Sequence, residues 1–146
     1  LRYFTVYGPA GRPDMSPFRF IEWVRRGQPI ALNGDGSQKR DFTFIDDIAE
    51  GTAAALRLEG FNLINLGDSR PAPLSRLIRR IELELGKKAV IRRRPSSRAD
   101  QRATWADISE AKRKLGWKPT VTLEEGIRRT AEWHAANASW LGKIRL

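Results

Sequence analysis

The apolar residues of this chain alternate between strand spacing and helical spacing, and this alternation constrains the fold more than any other feature. Residues 1–7 (LRYFTVY) are β-branched and aromatic and read as a strand that stops at Gly8-Pro9. Residues 14–26 read as a helix ended by Gly27, with Phe18, Ile21 and Val24 on one side and Phe20 and Trp23 on a second covered face. Residues 29–33 form a short strand, Gly34-Asp35-Gly36 a turn, and residues 40–45 the next strand. A helix over 48–58 is expected to bury Ile48, Thr52, Ala53 and Leu56, and a strand follows over 61–66. Leu74, Leu77, Ile78, Ile81 and Leu85 make one stripe of a helix over 74–85 that Gly86 caps. An edge strand over 89–93, a polar loop over 95–103, a short helix over 108–115 and a last helix through about residue 136 complete the chain. The order β-α-β-β-α-β-α-β-α-α belongs to the α/β class.

Two capping boxes are legible. Asp47 with Glu50 predicts one at the second helix, and Thr122 with Glu125 predicts one at the last. No Gly-x-Gly-x-x-Gly or Walker-type loop occurs, so the chain lacks the usual dinucleotide fingerprint. A chain that opens in a strand without a methionine is expected to be part of a longer protein.

The chain has no cysteine, which excludes disulfides and thiolate metal sites, and its single histidine argues against a histidine-based zinc site or a Ser-His-Asp triad. No apolar run approaches the ~20 residues of a membrane helix. Lys and Arg number 27 against 17 Asp and Glu, a net charge of +10. Such an excess favours an anionic partner, a nucleic acid, an anionic membrane or a phosphorylated small molecule, or else is a solvated basic surface or half of a protein whose other half is acidic.

Arg40 follows the Gly-rich turn, where a guanidinium can grip a phosphate with two N–H groups; the plain alternative is a surface pair with Asp41 or Asp46. Arg12, between Gly11 and Pro13, is placed for a carboxylate or phosphate. Arg92, Arg93, Arg94, Arg98 and Arg102 are basic but lack the interleaved aromatics of a single-strand platform. His134, Trp105, Trp117, Trp133 and Trp140 read as packing residues, and the adjacent Asp46 and Asp47 as helix-capping and dipole-compensating carboxylates. No nucleophile–base pair can be assembled.

Four stretches in order, 1–15 (LRYFTVYGPAGRPDM), 29–51 (PIALNGDGSQKRDFTFIDDIAEG), 61–71 (FNLINLGDSRP) and 103–127 (ATWADISEAKRKLGWKPTVTLEEGI), resemble the C-terminal half of the extended short-chain dehydrogenase/reductase family of nucleotide-sugar epimerases and dehydratases. The Arg-Pro-Asp-Met variant of the first loop is most like the UDP-glucuronate 4-epimerases. The resemblance implies a small mixed-sheet and helix substrate-binding lobe over residues 1–138 with a tail over 139–146. It also implies a missing Rossmann half, which would carry most of the NAD site and the Tyr-x-x-x-Lys pair. Substrate-binding roles fall on Thr5, Arg12, Ala31, Asn33, Arg40, Phe42, Arg98 and Asp100, and a cofactor contact on Tyr3. Arg12 would meet a uronate carboxylate, Ala31, Asn33 and Phe42 the base, Arg40 the diphosphate and Asp100 the ribose.

Relatives often have Arg-x-Gly-Asp before that aspartate. Here Ser97-Arg98-Ala99-Asp100 stands instead, which leaves Arg94, Arg98 and Arg102 as alternatives for the second diphosphate arginine. Pro73 replaces a helix-capping Ser. The implied parent is a cytoplasmic homodimer that interconverts UDP-glucuronate and UDP-galacturonate through a 4-keto intermediate, with no nucleic-acid or membrane partner. Alone, this chain is expected to be inactive. The alternatives are the lobe of a 4,6-dehydratase or reductase, and, from another class, a basic nucleic-acid-binding module.

Overall fold

The computed structural model of the chain describes residues 1–96, 100–144 and 146. Its strands are β1 Arg2–Tyr3, β2 Thr5–Tyr7, β3 Ile30–Asn33, β4 Lys39–Arg40, β5 Phe42–Phe44, β6 Asn65–Leu66, β7 Ala72–Pro73 and β8 Ile91–Arg94. Its helices are α1 Ser16–Arg26, α2 Ile45–Ala55, α3 Leu74–Leu85, α4 Ser109–Leu115, α5 Leu123–Ala136 and α6 Ala138–Leu141. The α/β class and the mixed sheet follow the sequence expectation. β1–β6, β2–β5 and β3–β8 are parallel pairs, and β4–β7 is antiparallel.

Two expected strands are each broken in two. Residues 1–7 change partner at Phe4, pairing first with β6 and then with β5. The 40–45 run is interrupted at Asp41, which separates β4 from β5. Each break lets one short segment tie two different layers together.

The main core is formed where α1, α3 and α5 pack on one another over β3 and β5. Ile21, Val24, Ile30, Phe44, Leu77, Ile81 and Ile127 are enclosed there, and the Tyr7 ring meets Phe42 and Phe44 edge-on. Helix α3 keeps the bounds and the buried Leu77-Ile78-Ile81 stripe that its period predicts, and Gly86 ends it at φ 59°. Thr122 caps α5 by accepting from the Glu125 N–H at 3.2 Å, as its capping box predicts. A second cluster joins α2, α4 and β6 through Ile48, Ile64, Leu66, Ile108 and Trp117.

The other capping box does not form. Helix α2 starts at Ile45, ahead of Asp47, and no side chain caps it. Asp47 is buried and accepts from Thr120 N, Thr120 Oγ1 and Val121 N at 2.9, 2.9 and 3.1 Å, so it staples α2 to the segment before α5. Leu56, expected inside, is 86% exposed because α2 ends at Ala55, and Phe61 of the expected 61–66 strand is 95% exposed because the strand begins only at Asn65. Trp105 and Trp140 are likewise exposed, while Trp117 packs inside. Helix α6 takes in residues 139–141 of the expected tail; it buries Leu141, whose carbonyl accepts from Arg26. No helix among the described residues is long and apolar enough to cross a membrane.

Candidate functional site

The site is built around the turn that follows β3. Gly34 and Gly36 adopt φ of 69° and 86°, a left-handed backbone that strains any residue with a Cβ. Between them, the Asp35 carboxylate accepts from Ser37 N at 2.9 Å and closes the turn. The carbonyls of Gly36 and Gln38 then accept from Ser75 N and Leu74 N at 3.0 and 3.1 Å. These bonds satisfy the first turn of α3, where Pro73 offers no side-chain acceptor. The turn therefore cannot drift from the core helix.

Beyond the turn, Lys39 N donates to Arg102 O at 2.9 Å and Thr104 N to Lys39 O at 3.2 Å, which holds residues 102–104 beside β4. Asp100 is thereby brought against Arg40. The Arg40 guanidinium donates from Nη2 to the Asp100 carboxylate and from Nη1 to the carbonyls of Lys39 (2.8 Å) and Gln101 (2.7 Å). Gln38 Nε2 donates to Asn33 O at 2.8 Å and reaches Asp100 Oδ2 at 3.4 Å.

Two clefts open here. One, of about 540 Å³, is lined by Asn33, Gly34, Gln38, Lys39, Asp100 and Arg102, among others. The other, of about 160 Å³, is lined by Asp14, Arg19, Trp23, Ala31, Asn33 and Asp100, among others. Asn33, Gln38 and Asp100 line both, so the clefts adjoin. Arg40 and Asp100 come from segments 60 residues apart, and β3 supplies a third wall. A concave surface with a fixed ion pair, an amide and peripheral cations can hold an anionic, hydrogen-bonding ligand. Tyr7, which lines neither cleft, has its pKa pushed up by burial and hydrogen-bonds to Leu123 O at 3.4 Å. No group of His, Cys, Asp and Glu suited to a metal occurs among the described residues.

The residues singled out from the sequence do not all come together. Ala31, Asn33 and Asp100 line the clefts, and Arg40 is tied to them through its pair with Asp100. Thr5 and Phe42 are paired across β2 and β5, and the Phe42 ring is enclosed in the core. Arg12 forms a two-pronged pair with Asp14, Nε to Oδ1 at 3.1 Å and Nη2 to Oδ2 at 2.6 Å, and its side chain is largely exposed. Tyr3 stands on β1 with its hydroxyl 3.1 Å from Thr52 Oγ1. Thr52 already donates to Ile48 O at 2.7 Å, so Tyr3 is the donor. Arg98 lies outside the described residues.

Three residues of the site do not stand out in the sequence: Arg19, Gln38 and Asp41. Asp41 is fully buried and accepts from Asp68 N (2.6 Å), Ser69 N (3.1 Å) and Ala106 N (2.7 Å), so it ties the β4–β5 junction beside Arg40 to the segments at 68–69 and 106. A lone carboxylate inside an apolar strand run was its only signal.

Residues 1–67 match the family described as NAD dependent epimerase/dehydratase. Over all of its length the chain is 49% identical to a UDP-glucuronate 4-epimerase of Thermodesulfobacterium geofontis, covering 46% of that protein. The chain is thus similar to members of the NAD-dependent epimerase/dehydratase family. It spans about half the length of the curated relatives it matches. Among solved structures of the epimerase/dehydratase type, a Bacillus cereus UDP-glucuronic acid 4-epimerase in complex with UDP-glucuronic acid and NAD superposes with a TM-score of 0.87. That protein is 39% identical, with 93% of this chain and 44% of that one covered. A Thermotoga maritima UDP-glucose 4-epimerase with UDP-glucose superposes at 0.85 with 31% identity, 94% of this chain and 45% of that one being covered.

Proposed function

We propose that this chain is the nucleotide-sugar-binding part of an NAD-dependent UDP-glucuronate 4-epimerase. The observation that carries the reading is that Ala31, Asn33 and Asp100 line adjoining clefts and that Arg40, from a third segment, is paired with Asp100 at their edge. In this reading the β3 backbone and Asn33 receive the uracil, Asp100 the ribose and Arg40 the diphosphate. Lys39 and Arg102 draw the anion in from the rim of the larger cleft. Arg12 takes the uronate carboxylate by giving up Asp14, an exchange of one planar fork for another.

NAD, when bound, accepts a hydride from the sugar and returns it. Its fit to this chain is partial. Tyr3 offers a half-exposed ring on β1, and the sequence has no Gly-rich dinucleotide loop or Tyr-x-x-x-Lys pair. The dinucleotide grip and proton transfer are therefore assigned to the remaining half of a cytoplasmic, homodimeric parent. Leu1 and Tyr3 at β1, and Leu56, Phe61 and Leu63 between α2 and β6, are exposed apolar residues that support a further part packing there.

The test is turnover by the complete protein that contains this chain. It should interconvert UDP-glucuronate and UDP-galacturonate. Arg40→Ala should raise KM by about 10–100-fold, the worth of one or two charge-assisted hydrogen bonds. Arg12→Ala should slow a uronate far more than a neutral hexose. Equal losses on both sugars would reject the carboxylate assignment. Turnover of no nucleotide sugar, together with salt-sensitive DNA binding, would reject the whole reading.

A further inference from the structure

Two arginines beside the smaller cleft are committed, Arg12 to Asp14 and Arg40 to Asp100. Arg19 is not. It lies one turn before Trp23 on α1, with its guanidinium carbon 4.6 Å from the indole ring centre. Its Nε–H is enclosed and hydrogen-bonds to nothing among the described residues. An enclosed guanidinium N–H without an acceptor is costly, and most native structures supply one.

Arg19 also lines the smaller cleft with Ala31, Asn33 and Asp100. The two carboxylates on that cleft are already taken. Asp14 is held below its ordinary range first by hydrogen bonds from Arg12, and Arg19 contributes only a weaker pull through space. Asp100 accepts from Arg40. Three guanidiniums, of Arg12, Arg19 and Arg40, therefore face two carboxylates, of Asp14 and Asp100, which leaves one cation in surplus. Stacking on Trp23 holds that cation without neutralising it. An acceptor that completes Arg19 must bring negative charge into the cleft, and it must be small, since the cleft holds about 160 Å³.

We infer that Arg19 is a ligand-binding residue that takes a phosphoryl oxygen of a nucleoside diphosphate lying between α1 and β3. This rests on the nucleotide-sugar reading and adds to it a residue that the family resemblance did not supply. Arg40 and Arg19 then flank the diphosphate from opposite walls, and Trp23 pre-orders Arg19 before the ligand arrives.

The experiment compares UDP with uridine on the full chain, by calorimetry and by the side-chain Nε–Hε signal of Arg19. Wild type should bind UDP more tightly than uridine. Arg19→Gln should reduce that advantage by roughly 5–30-fold, the worth of one charge-assisted bond to phosphate, and leave uridine binding unchanged. Arg19→Lys should restore part of it. In wild type, the Arg19 Nε–Hε signal should move on adding UDP and stay put with uridine, a readout that needs no variant to fold. UDP binding that survives Arg19→Gln intact, with a stationary Nε–Hε signal, overturns this inference and leaves the nucleotide-sugar reading standing. Failure of wild type to bind UDP overturns both.

Discussion

Asp41→Asn changes one atom in the framework that carries Arg40, and its cost can be worked from the structure. Oδ1 of Asp41 accepts from Asp68 N at 2.6 Å and from Thr43 Oγ1 at 3.3 Å; Oδ2 accepts from Ser69 N at 3.1 Å and Ala106 N at 2.7 Å. An asparagine has one acceptor and one donor end. Either orientation points its NH₂ at a backbone N–H. The milder choice keeps the carbonyl toward Ser69 and Ala106, and the Thr43 hydroxyl turns round to accept from the amide. The Asp68 N–H is then left buried and facing another donor, at about 1–3 kcal/mol, and two charge-assisted bonds become neutral ones at about 1 kcal/mol each. The sum is about 3–5 kcal/mol against a total stability on the order of 5–15 kcal/mol. Urea unfolding should show the midpoint falling by about 2–3.3 M for a slope near 1.5 kcal/mol/M. The amides of Asp68, Ser69 and Ala106 should lose hydrogen-exchange protection before the rest of the chain. A change under 1 kcal/mol, with those amides still protected, would refute the account of Asp41 as the post of the site.

Gly126 should resist substitution for a different reason. A Cβ there would lie 2.7 Å from Tyr7 Cζ and 2.9 Å from Phe44 Cδ2, so Gly126→Ala should destabilise by about 1–3 kcal/mol despite the better helix propensity of alanine, as read by thermal unfolding. Stability should also fall with acid in two stages. Burial pushes His134 below its ordinary value of 6.5 and outweighs the attraction of Glu22, 2.8 Å from Nδ1. The fold therefore favours neutral imidazole, and this contribution is full above pH 6.5 and shrinks as pH falls below it. Burial also opposes ionisation of Glu22, but hydrogen bonds from Arg25, His134 and Arg26 overcome it and hold Glu22 at about 2. That contribution is present above about 4.5, its ordinary value, and is lost as pH falls toward 2. Because the chain has one histidine, an NMR titration reads the first stage directly. An imidazole that protonates at or above pH 6.5 in the folded chain would contradict it.

What was legible in the sequence were features that act locally. The α3 stripe, the Thr122 cap and the glycine-bounded turn after β3 each depend on neighbours within a few residues. The Arg40 and Asp100 positions were legible only through the ordered resemblance, because nothing local links residues 60 apart. What escaped was decided by distant partners. Asp47 sits at a position that suits a helix cap, yet its three donors lie more than 70 residues away, and they outcompete the local bond. Phe4 and Asp41 break their strands because each segment serves two sheets. Arg19 escaped because a charged residue between Phe18 and Phe20 reads as the solvent side of a helix. Its place over Trp23 becomes visible only when β3 closes the cleft beside it.

The most direct test of the central claim is an amide NMR titration of the full chain with UDP, followed by the same titration with a DNA duplex. Shifts confined to Asn33, Gln38, Arg40, Asp100 and their neighbours with UDP, and none with the duplex at physiological salt, are the predicted result. Shifts with the duplex along Arg92, Arg93 and Arg94, and none with UDP around Arg40, would contradict it.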